Sequence, residues 1–150
     1  MDDIDRAILR TLQRSPDLSI DEIGAAVRLS HTPVWRRIQR MHKQGVLLGR
    51  YYRIDRRQVG LKVIVFASIK LDRHDEPALL QFEQAVRDKE EIQECHSMTG
   101  SFDYMIKILV PDVESFEKLL KTSILHLPHV KDIRSGFALR EIKKAETLPL

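Results

Sequence analysis

Apolar residues recur at helical spacing through the first part of the chain, and this pattern predicts three short helices. Their approximate bounds are residues 2–15, 19–27 and 30–45. Ser19 and Glu22 have the spacing of a capping box, in which each side chain bonds the other residue's backbone N–H, so the second helix begins at Ser19. Three short helices, the last two joined by a tight turn, are typical of a helix-turn-helix unit.

The third predicted helix separates apolar from polar side chains. Val34, Ile38 and Met41 stack on one side at about 100° per residue. Ser30 is suited to cap its start by accepting a bond from a backbone N–H, and Gly45 suits the left-handed conformation that ends a helix. The other side collects polar and basic residues: Thr32, Arg36, Gln39, Arg40 and Lys43.

The pattern then changes. Residues 46–54 mix β-branched, aromatic and basic residues, which predicts a strand or hairpin, the wing of a winged helix-turn-helix domain, followed by a polar linker at residues 56–60. From Lys62 the apolar period becomes two, and Val63–Leu71 reads as a strand that is apolar on one face and partly apolar on the other. We therefore expect both faces of this strand to be covered.

The remaining elements complete an α+β pattern. A helix begins at Glu76 and Pro77, and Asp112 caps a second helix that runs to Pro128. Strands are predicted over residues 92–99, 104–110 and 130–142. The order βαββαβ predicts a ferredoxin-like domain over 61–150, preceded by a (winged) helix-turn-helix domain with its linker strand over 1–60.

The net charge of the chain also changes near the predicted boundary between the two domains. Residues 1–62 hold 13 Lys and Arg against 7 Asp and Glu, whereas residues 63–150 hold 12 against 15. A basic surface attracts a polyanion, and double-stranded DNA is the partner that a helix-turn-helix unit implies. We expect Thr32, Arg36, Gln39 and Arg40 to contact base edges. We expect Lys43, Arg50 and Arg53 to bind phosphates of the DNA backbone. Ser30 and Trp35 are further candidate DNA-binding residues.

Composition excludes several other classes of protein. The longest apolar run, Val63 to Ala67, is far shorter than the roughly 20 residues of a membrane span, and the acidic, amphipathic start is not a secretory signal. The single cysteine, Cys95, excludes an internal disulfide and favours a cytoplasmic protein. We expect Cys95 to be a small buried strand residue rather than a redox switch, and Trp35 to seal the helical domain rather than to stack on a deoxyribose.

Metal and catalytic sites are not expected. His126 and His129 have a ligand-like spacing, but Pro128 interrupts the helix that would align them. His96, Ser101 and Asp103 are close in sequence, yet a catalytic triad is defined by geometry that proximity does not supply. The chain therefore reads as a binding protein without metal or cofactor, not as an enzyme.

Several segments resemble the Lrp/AsnC (feast/famine) family of bacterial and archaeal transcriptional regulators. The first half carries DDIDRAILRTLQRSPDLSIDEIGAAVRLSHTPVWRRIQRMHKQGVL, and the second carries HSMTGSFDYMIKILVPD and LPHVKDIRSGFALREIK. The ending FALREIKKAETLPL and the helix TPVWRRIQRM are most similar to a branch that includes cysteine-responsive members. The resemblance implies that the first domain binds DNA as a dimer. It also implies that the second domain assembles dimers, often into octamers, and senses an amino acid.

The resemblance also points to an effector site at a glycine loop. Residue types alone favour a tight turn in which Asp103 satisfies its own backbone. The alternative is a pocket in which Asp103 accepts from an α-ammonium group and backbone N–H groups hold a carboxylate, and the resemblance favours it. The expected effector-binding residues are Gly100, Ser101, Phe102, Asp103 and Tyr104, with Met98 and Ser135 as secondary candidates.

These patterns together predict a sequence-specific DNA-binding regulator whose assembly and DNA affinity respond to an amino acid. The alternative is a small-molecule-sensing or protein-assembly module whose basic half binds an acidic partner rather than DNA.

Overall fold

The computed structural model describes residues 1–145 and 147–150, so Glu146, which belongs to the ending quoted above, lies outside the described residues. The chain forms two compact units, one of Met1–Arg53 with Ile142–Leu150 and one of Ile54–Glu141. The division predicted between residues 60 and 61 stays a prediction. In the described part of the chain, no helix combines the length and the apolar character needed to cross a membrane.

The first unit contains the three predicted helices, which are α1 (Asp3–Arg14), α2 (Ile20–Val27) and α3 (His31–Lys43). Their apolar stripes meet in one core, which buries Ile8, Leu9, Ile23, Val34, Ile38 and Met41. The prediction that Val34, Ile38 and Met41 form the packed side of α3 is confirmed.

Two capping boxes set the starts of α1 and α2. The Ser19 hydroxyl accepts from the Glu22 N–H at 3.3 Å, and the Glu22 carboxylate accepts from the Ser19 N–H at 2.7 Å, as predicted. Asp2 and Asp5 exchange the same pair of bonds at 2.8 and 3.0 Å. Each pair satisfies two backbone donors that a helix N-terminus leaves without an intrahelical acceptor.

The two ends of α3 behave differently. At its C-terminus, Gly45 has φ of +70°, and the Val46 and Gly45 N–H groups donate to the carbonyls of Met41 and His42 at 2.9 and 3.0 Å. This is a Schellman motif, in which glycine avoids the strain that a Cβ meets at positive φ. At the N-terminus, Ser30 occupies the cap position, but its side chain makes no capping hydrogen bond, so the predicted Ser30 cap bond is wrong.

The predicted wing is also wrong. Within the described residues, 46–62 form neither a strand nor a hairpin. Tyr51 and Tyr52 are exposed, and Gly49 has φ of +139°. A strand requires a hydrogen-bonding neighbour, and residue types with high β-propensity do not supply one.

The second unit is the predicted βαββαβ domain. Its elements are β1 (Val63–Leu71), α4 (Glu76–Arg87), β2 (Ile92–Ser97), β3 (Tyr104–Val110), α5 (Val113–Thr122) and β4 (Val130–Phe137). All pairings are antiparallel and the sheet order is β2-β3-β1-β4, which is the ferredoxin-like order. The Asp112 side chain caps α5 by accepting from the Ser115 N–H at 2.7 Å, as predicted.

Three predicted elements were too long. The strand predicted over residues 92–99 ends at Ser97. The helix after Asp112 ends at Thr122 and is followed by a short 3-10 turn, Ile124–His126, that still buries Ile124. The last strand ends at Phe137, opposite Val65, because β1 itself begins at Val63 and offers little backbone beyond that point.

One face of the sheet packs on the helices and the other is open. Val65, Ala67 and Ile69 point toward α4 and α5 and are buried with the main core of this unit. On the opposite face Phe66 is 42% exposed and Lys70 is also exposed. On the same face Ile64 is buried and Ser68 is half-buried, so the expectation that both faces of β1 are covered holds at Ile64 and is wrong at Phe66 and Lys70 in the described residues of the single chain. We call this side, with Phe66, Ser68, Lys70, Met105, Lys107 and Arg134, the open sheet face.

Candidate nucleic-acid interface and effector loop

Four polar side chains form a straight stripe along α3. Thr32, Arg36, Gln39 and Lys43 are all exposed and fall within an arc of about 60° on the helix surface. Among the residues that the structure describes, none of the four side chains makes a hydrogen bond or ion pair. We call this stripe the outer face of α3. Its donors and acceptors are available to an external partner.

The turn before α3 is tight, and one glycine allows it. Arg28 takes the left-handed conformation at φ of 57°, and the Leu29 N–H donates back to the Gly24 carbonyl at 2.9 Å. A Cβ on Gly24 would lie 2.5 Å from the Leu29 carbonyl oxygen. Gly24 therefore permits the close approach of α2 to the turn, and that approach sets where α3 begins.

Arg40, expected to contact bases, is instead tied to α1. Its Nη2 donates to both carboxylate oxygens of Asp5 at 2.7 Å. Arg37 Nη1 donates to Asp5 at 2.8 Å and to Asp2 at 2.7 Å. Asp5 is 1% exposed, while the Arg37 and Arg40 side chains are 23% and 48% exposed. We call these four residues the Asp5 cluster.

Protonation in the Asp5 cluster follows its contacts. Burial by itself raises the pKa of Asp5, but the Asp2 N–H and the two arginines lower it below the usual value. The Asp5 N–H, followed by Arg37, lowers the pKa of Asp2 to about 2. Both carboxylates also raise the pKa of Arg37. Asp2, Asp5 and Arg37 are thus charged near neutral pH.

The other expected DNA contacts lie around this helix. Ser30 is exposed just before α3, and Trp35 is 47% exposed and outside the helical core, so the interpretation that it seals the domain is wrong. Arg50 and Arg53, on the segment after α3, line a cavity of about 530 Å³ with Leu9 of α1. Their predicted phosphate contacts stay predictions.

The glycine loop between β2 and β3 is a tight turn. Gly100 has φ of +112°, the Met98 N–H donates to the Asp103 carbonyl at 2.8 Å, and the Asp103 N–H donates to Ile69 at 2.9 Å. Among the described residues, no hydrogen bond involves the backbone N–H groups of residues 99–102. Four main-chain donors therefore surround Gly100 and are available to an anion.

The Asp103 carboxylate already has partners. One oxygen accepts from the Leu71 N–H at 2.7 Å, and the other lies 3.0 Å from His74 Nε2. Burial by itself raises the pKa of Asp103, but these two contacts lower it below the usual value. A carboxylate offers about four lone-pair sites, so each oxygen retains one for a further donor.

The other effector candidates divide between the two faces of the sheet. Phe102 contacts the guanidinium of Arg134, whose Cζ lies 5.2 Å from the centre of the phenyl ring, on the open sheet face. Tyr104 is 4% exposed on the helix-facing side and donates its hydroxyl to Glu83 at 2.9 Å. Ser135 pairs with Ala67 and alternates with Arg134, so its side chain also points to the helix-facing side. Ser101 and Met98 are exposed at the loop.

The residues considered for other chemistry are not brought together. Asp103 contacts His74 rather than His96, and His129 contacts Gln81 at 2.9 Å. In residues 1–145 and 147–150, no three His, Cys, Asp or Glu side chains are grouped as a metal site would require. Cys95 is exposed on the edge strand β2, so the expectation that it is buried is wrong.

Sequence reasoning missed the Asp5 cluster, although a signal was present. Asp5 falls on the same side of α1 as the buried Ile8 and the half-buried Leu12. An acidic residue within an apolar stripe has to be paired when it is buried, which predicts a basic partner on a neighbouring helix. The identity of the partners, Arg37 and Arg40, requires the packing of α1 on α3.

Comparison with known proteins matches both halves of the chain. Residues 1–42 match the AsnC-type helix-turn-helix domain, and residues 64–148 match the Lrp/AsnC ligand binding domain. The Leucine-responsive regulatory protein of Escherichia coli K12 is 38% identical over 148 residues, which cover 99% of this chain and 90% of that protein. The protein of the same name from Klebsiella pneumoniae gives the same values.

Solved structures of transcriptional regulators superpose closely on this chain. An AsnC family transcriptional regulator from Agrobacterium tumefaciens superposes with a TM-score of 0.93 at 37% identity, covering 99% of this chain and 97% of that one. A transcriptional regulator from Neisseria meningitidis in complex with L-Met gives a TM-score of 0.92 at 28% identity, with coverage of 99% and 96%.

Proposed function

Because this chain belongs to the Lrp/AsnC family of transcriptional regulators, we propose that it is a sequence-specific DNA-binding regulator whose assembly and DNA affinity respond to an amino acid. The observation that carries this proposal is the outer face of α3. Its polar stripe lies directly opposite the buried Val34, Ile38 and Met41, so the core holds the helix while its donors face outward.

The outer face of α3 has the dimensions of a recognition helix that fits the major groove of DNA. Thr32 and Lys43 are separated by about 16 Å along the helix axis at 1.5 Å per residue, and the major groove of DNA admits a helix of this kind. Arg36 and Gln39, near its middle, are suited to bidentate bonds with guanine and adenine edges, and Thr32 contacts bases beside them. Lys43, Arg50 and Arg53 bind backbone phosphates.

The open sheet face supports assembly as a homodimer. Phe66, Met105 and the alkyl part of Lys107 lie on one side of the sheet, where a single chain leaves Phe66 42% exposed. A second copy that packs on this face would bury Phe66 and place two copies of α3 on a symmetric operator. Dimers assemble further, to an octamer.

We place the amino-acid effector at the glycine loop. The four backbone N–H groups of residues 99–102 hold the effector carboxylate, and the remaining lone pairs of Asp103 accept from its ammonium group. The relatives bear names that refer to leucine, and one solved neighbour contains L-Met. For this chain, the resemblance to a cysteine-responsive branch stays a prediction.

DNA binding is tested with a duplex that the wild-type protein selects from a random-sequence pool. We expect binding that weakens steeply with salt and an Arg36→Ala variant that loses at least ten-fold in affinity, the size of one bidentate base contact. The matched control, Lys118→Ala, removes one charge from the exposed surface of α5. Failure to select any duplex, or equal effects of the two substitutions, would contradict the proposal.

The effector site is tested by thermal shift with each of the twenty common amino acids. We expect at least one to stabilise the wild-type protein. The Asp103→Asn variant should lose that stabilisation while its amide oxygen still accepts from the Leu71 N–H. The control Asp72→Asn removes a carboxylate from the residue next to Leu71. Stabilisation that survives in Asp103→Asn would rule out the loop site.

A further inference from the structure

The Asp5 cluster sits beside the outer face of α3 rather than on it. At about 100° per residue, Arg40 lies about 70° from the centre of the outer face and Arg37 about 130°. The exposure of the two side chains follows this order, at 48% for Arg40 and 23% for Arg37. Arg40 therefore borders the DNA-facing surface, while Arg37 lies against α1.

Every hydrogen-bonding site of the Asp5 carboxylate is occupied. Oδ1 accepts from Arg37 and Arg40, and Oδ2 accepts from Arg40 and from the Asp2 N–H at 3.0 Å. Because Asp5 is 1% exposed and holds four donors, its position is determined by the packing of α1. It provides a rigid support for any group bound to it.

Arg40 uses only one of its nitrogens in this contact. A guanidinium has five N–H donors, and only Nη2 is bonded to Asp5. Within the described residues, Nε and Nη1 of Arg40 make no hydrogen bond. Asp5 thus anchors the guanidinium at Nη2, and the three N–H donors on Nε and Nη1 are left for another partner.

From this geometry we propose that Asp5 is a positioning residue for DNA recognition, which holds Arg40 to clamp a backbone phosphate beside the groove that α3 reads. The proposal rests on the function proposed above and assigns Arg40 to the DNA backbone instead of to base edges. Contacts to phosphates determine the register of a protein on the duplex, and a pre-oriented guanidinium loses less entropy when it makes one.

For Asp5→Asn, a role of Asp5 through its charge and a role through the positioning of Arg40 predict opposite changes in DNA affinity. Asp5→Asn removes a negative charge next to DNA, so charge alone would strengthen binding to every duplex. Loss of positioning weakens only the complex that needs a defined register. We therefore expect Asp5→Asn to lower affinity for the selected duplex about ten-fold, the size of one charge-assisted hydrogen bond, and to leave affinity for poly(dI-dC) unchanged or higher.

Arg40→Gln should act differently from Asp5→Asn. Loss of a phosphate contact weakens binding to both duplexes, reduces the slope of log affinity against log salt by about 0.9, and leaves base preferences unchanged. In the Arg40→Gln background, Asp5→Asn should no longer change the ratio between the two duplexes. Asp3→Asn, an exposed carboxylate at the start of α1, is the control for added charge and should raise both affinities equally.

Binding to the two duplexes is measured by fluorescence anisotropy at several salt concentrations, on full-length protein whose folded fraction is known from circular dichroism. If Asp5→Asn does not fold, Arg40→Lys is the test variant instead, because lysine keeps the positive charge but lacks the planar set of guanidinium donors. This variant should lower affinity for the selected duplex and keep the salt slope.

Several results would overturn the proposal. Equal changes on both duplexes in Asp5→Asn would show a purely structural or purely electrostatic role. If Arg40→Gln relaxed the sequence preference at one base position, Arg40 would contact a base edge rather than a phosphate. Wild-type protein that selects no duplex would refute the proposed function together with this inference, whereas normal wild-type binding with an unchanged ratio in Asp5→Asn would refute this inference alone.

Discussion

Gly24→Ala is the substitution for which helix propensity and tertiary packing predict opposite results. Alanine is the better helix former by about 1 kcal/mol, so an isolated α2 would be stabilised. In the folded unit, however, the new Cβ would lie 2.5 Å from the Leu29 carbonyl oxygen. Ordinary contact requires about 3.4 Å or more, so the two groups must separate by roughly 0.9 Å.

The backbone before α3 resists this separation. Leu29 is tied to Gly24 by an N–H to carbonyl bond of 2.9 Å, and the turn contains the left-handed Arg28. Overpacking of this kind costs about 1–3 kcal/mol, and a backbone neighbour places it toward the upper end. After the gain in helix propensity is subtracted, we expect Gly24→Ala to lower the free energy of unfolding by about 1–2 kcal/mol.

Urea unfolding followed by tryptophan fluorescence measures this directly, because Trp35 is the single tryptophan of the chain and lies in the helical unit. Ala25→Gly, at an exposed position of the same helix, is the matched control and should cost about 1 kcal/mol through propensity alone. A Gly24→Ala protein that is more stable than wild type would refute the packing argument. We also expect its DNA affinity to fall by more than its folded fraction, because the turn positions α3.

Two pH titrations and one alkylation-rate measurement test the electrostatics of the two units. The pKa of Asp2 is lowered to about 2, and that of Asp5 is also lowered. Their contribution to stability is therefore present above the usual pKa of 3.8 and is lost as pH falls toward 2. An acid titration of tryptophan fluorescence should show this loss of stability, and the loss should be smaller in Asp5→Asn. Burial, followed by the Glu83 carboxylate, raises the pKa of Tyr104 to about 12. Stability of the second unit should therefore fall as pH rises from 10 to 12, in a circular dichroism titration that Tyr104→Phe flattens. Cys95 is exposed on β2, but partial desolvation of its thiol by the neighbouring protein, followed by the Glu83 carboxylate, raises its pKa. Its alkylation by iodoacetamide should therefore be slower than in the urea-unfolded chain, and equal rates would contradict the raised pKa.

Elements whose signals are local were predictable from the sequence. The start of α2 depends on Ser19 and Glu22, three residues apart, and the end of α3 depends on Gly45 and the carbonyls of the preceding turn. The order βαββαβ follows from the change in apolar period and leads to the observed sheet. These features depend on contacts within a few residues along the chain.

Elements that need a partner were predicted less well. Residues 46–54 have strand-forming residue types but pair with no strand in the described part of the chain. The strand predicted to reach Ile142 ends at Phe137, where β1 no longer faces it. The open face of β1 was expected to be covered because Phe66 is apolar, yet in the described residues Phe66 is 42% exposed. In each case the residue pattern shows a capacity for pairing or burial, and the available neighbour decides whether it is realised.

The sequence by itself determined that α3 carries Arg36, Arg37 and Arg40 on one amphipathic helix and that one side of that helix is packed. Its periodicity also placed Arg36 on the polar side. Only the tertiary structure decided that Arg37 and Arg40 bind Asp5, a residue more than 30 positions away in α1. Helical periodicity determines the direction of a side chain around its own axis, but an ion pair depends on the packing of two helices, which no local pattern contains.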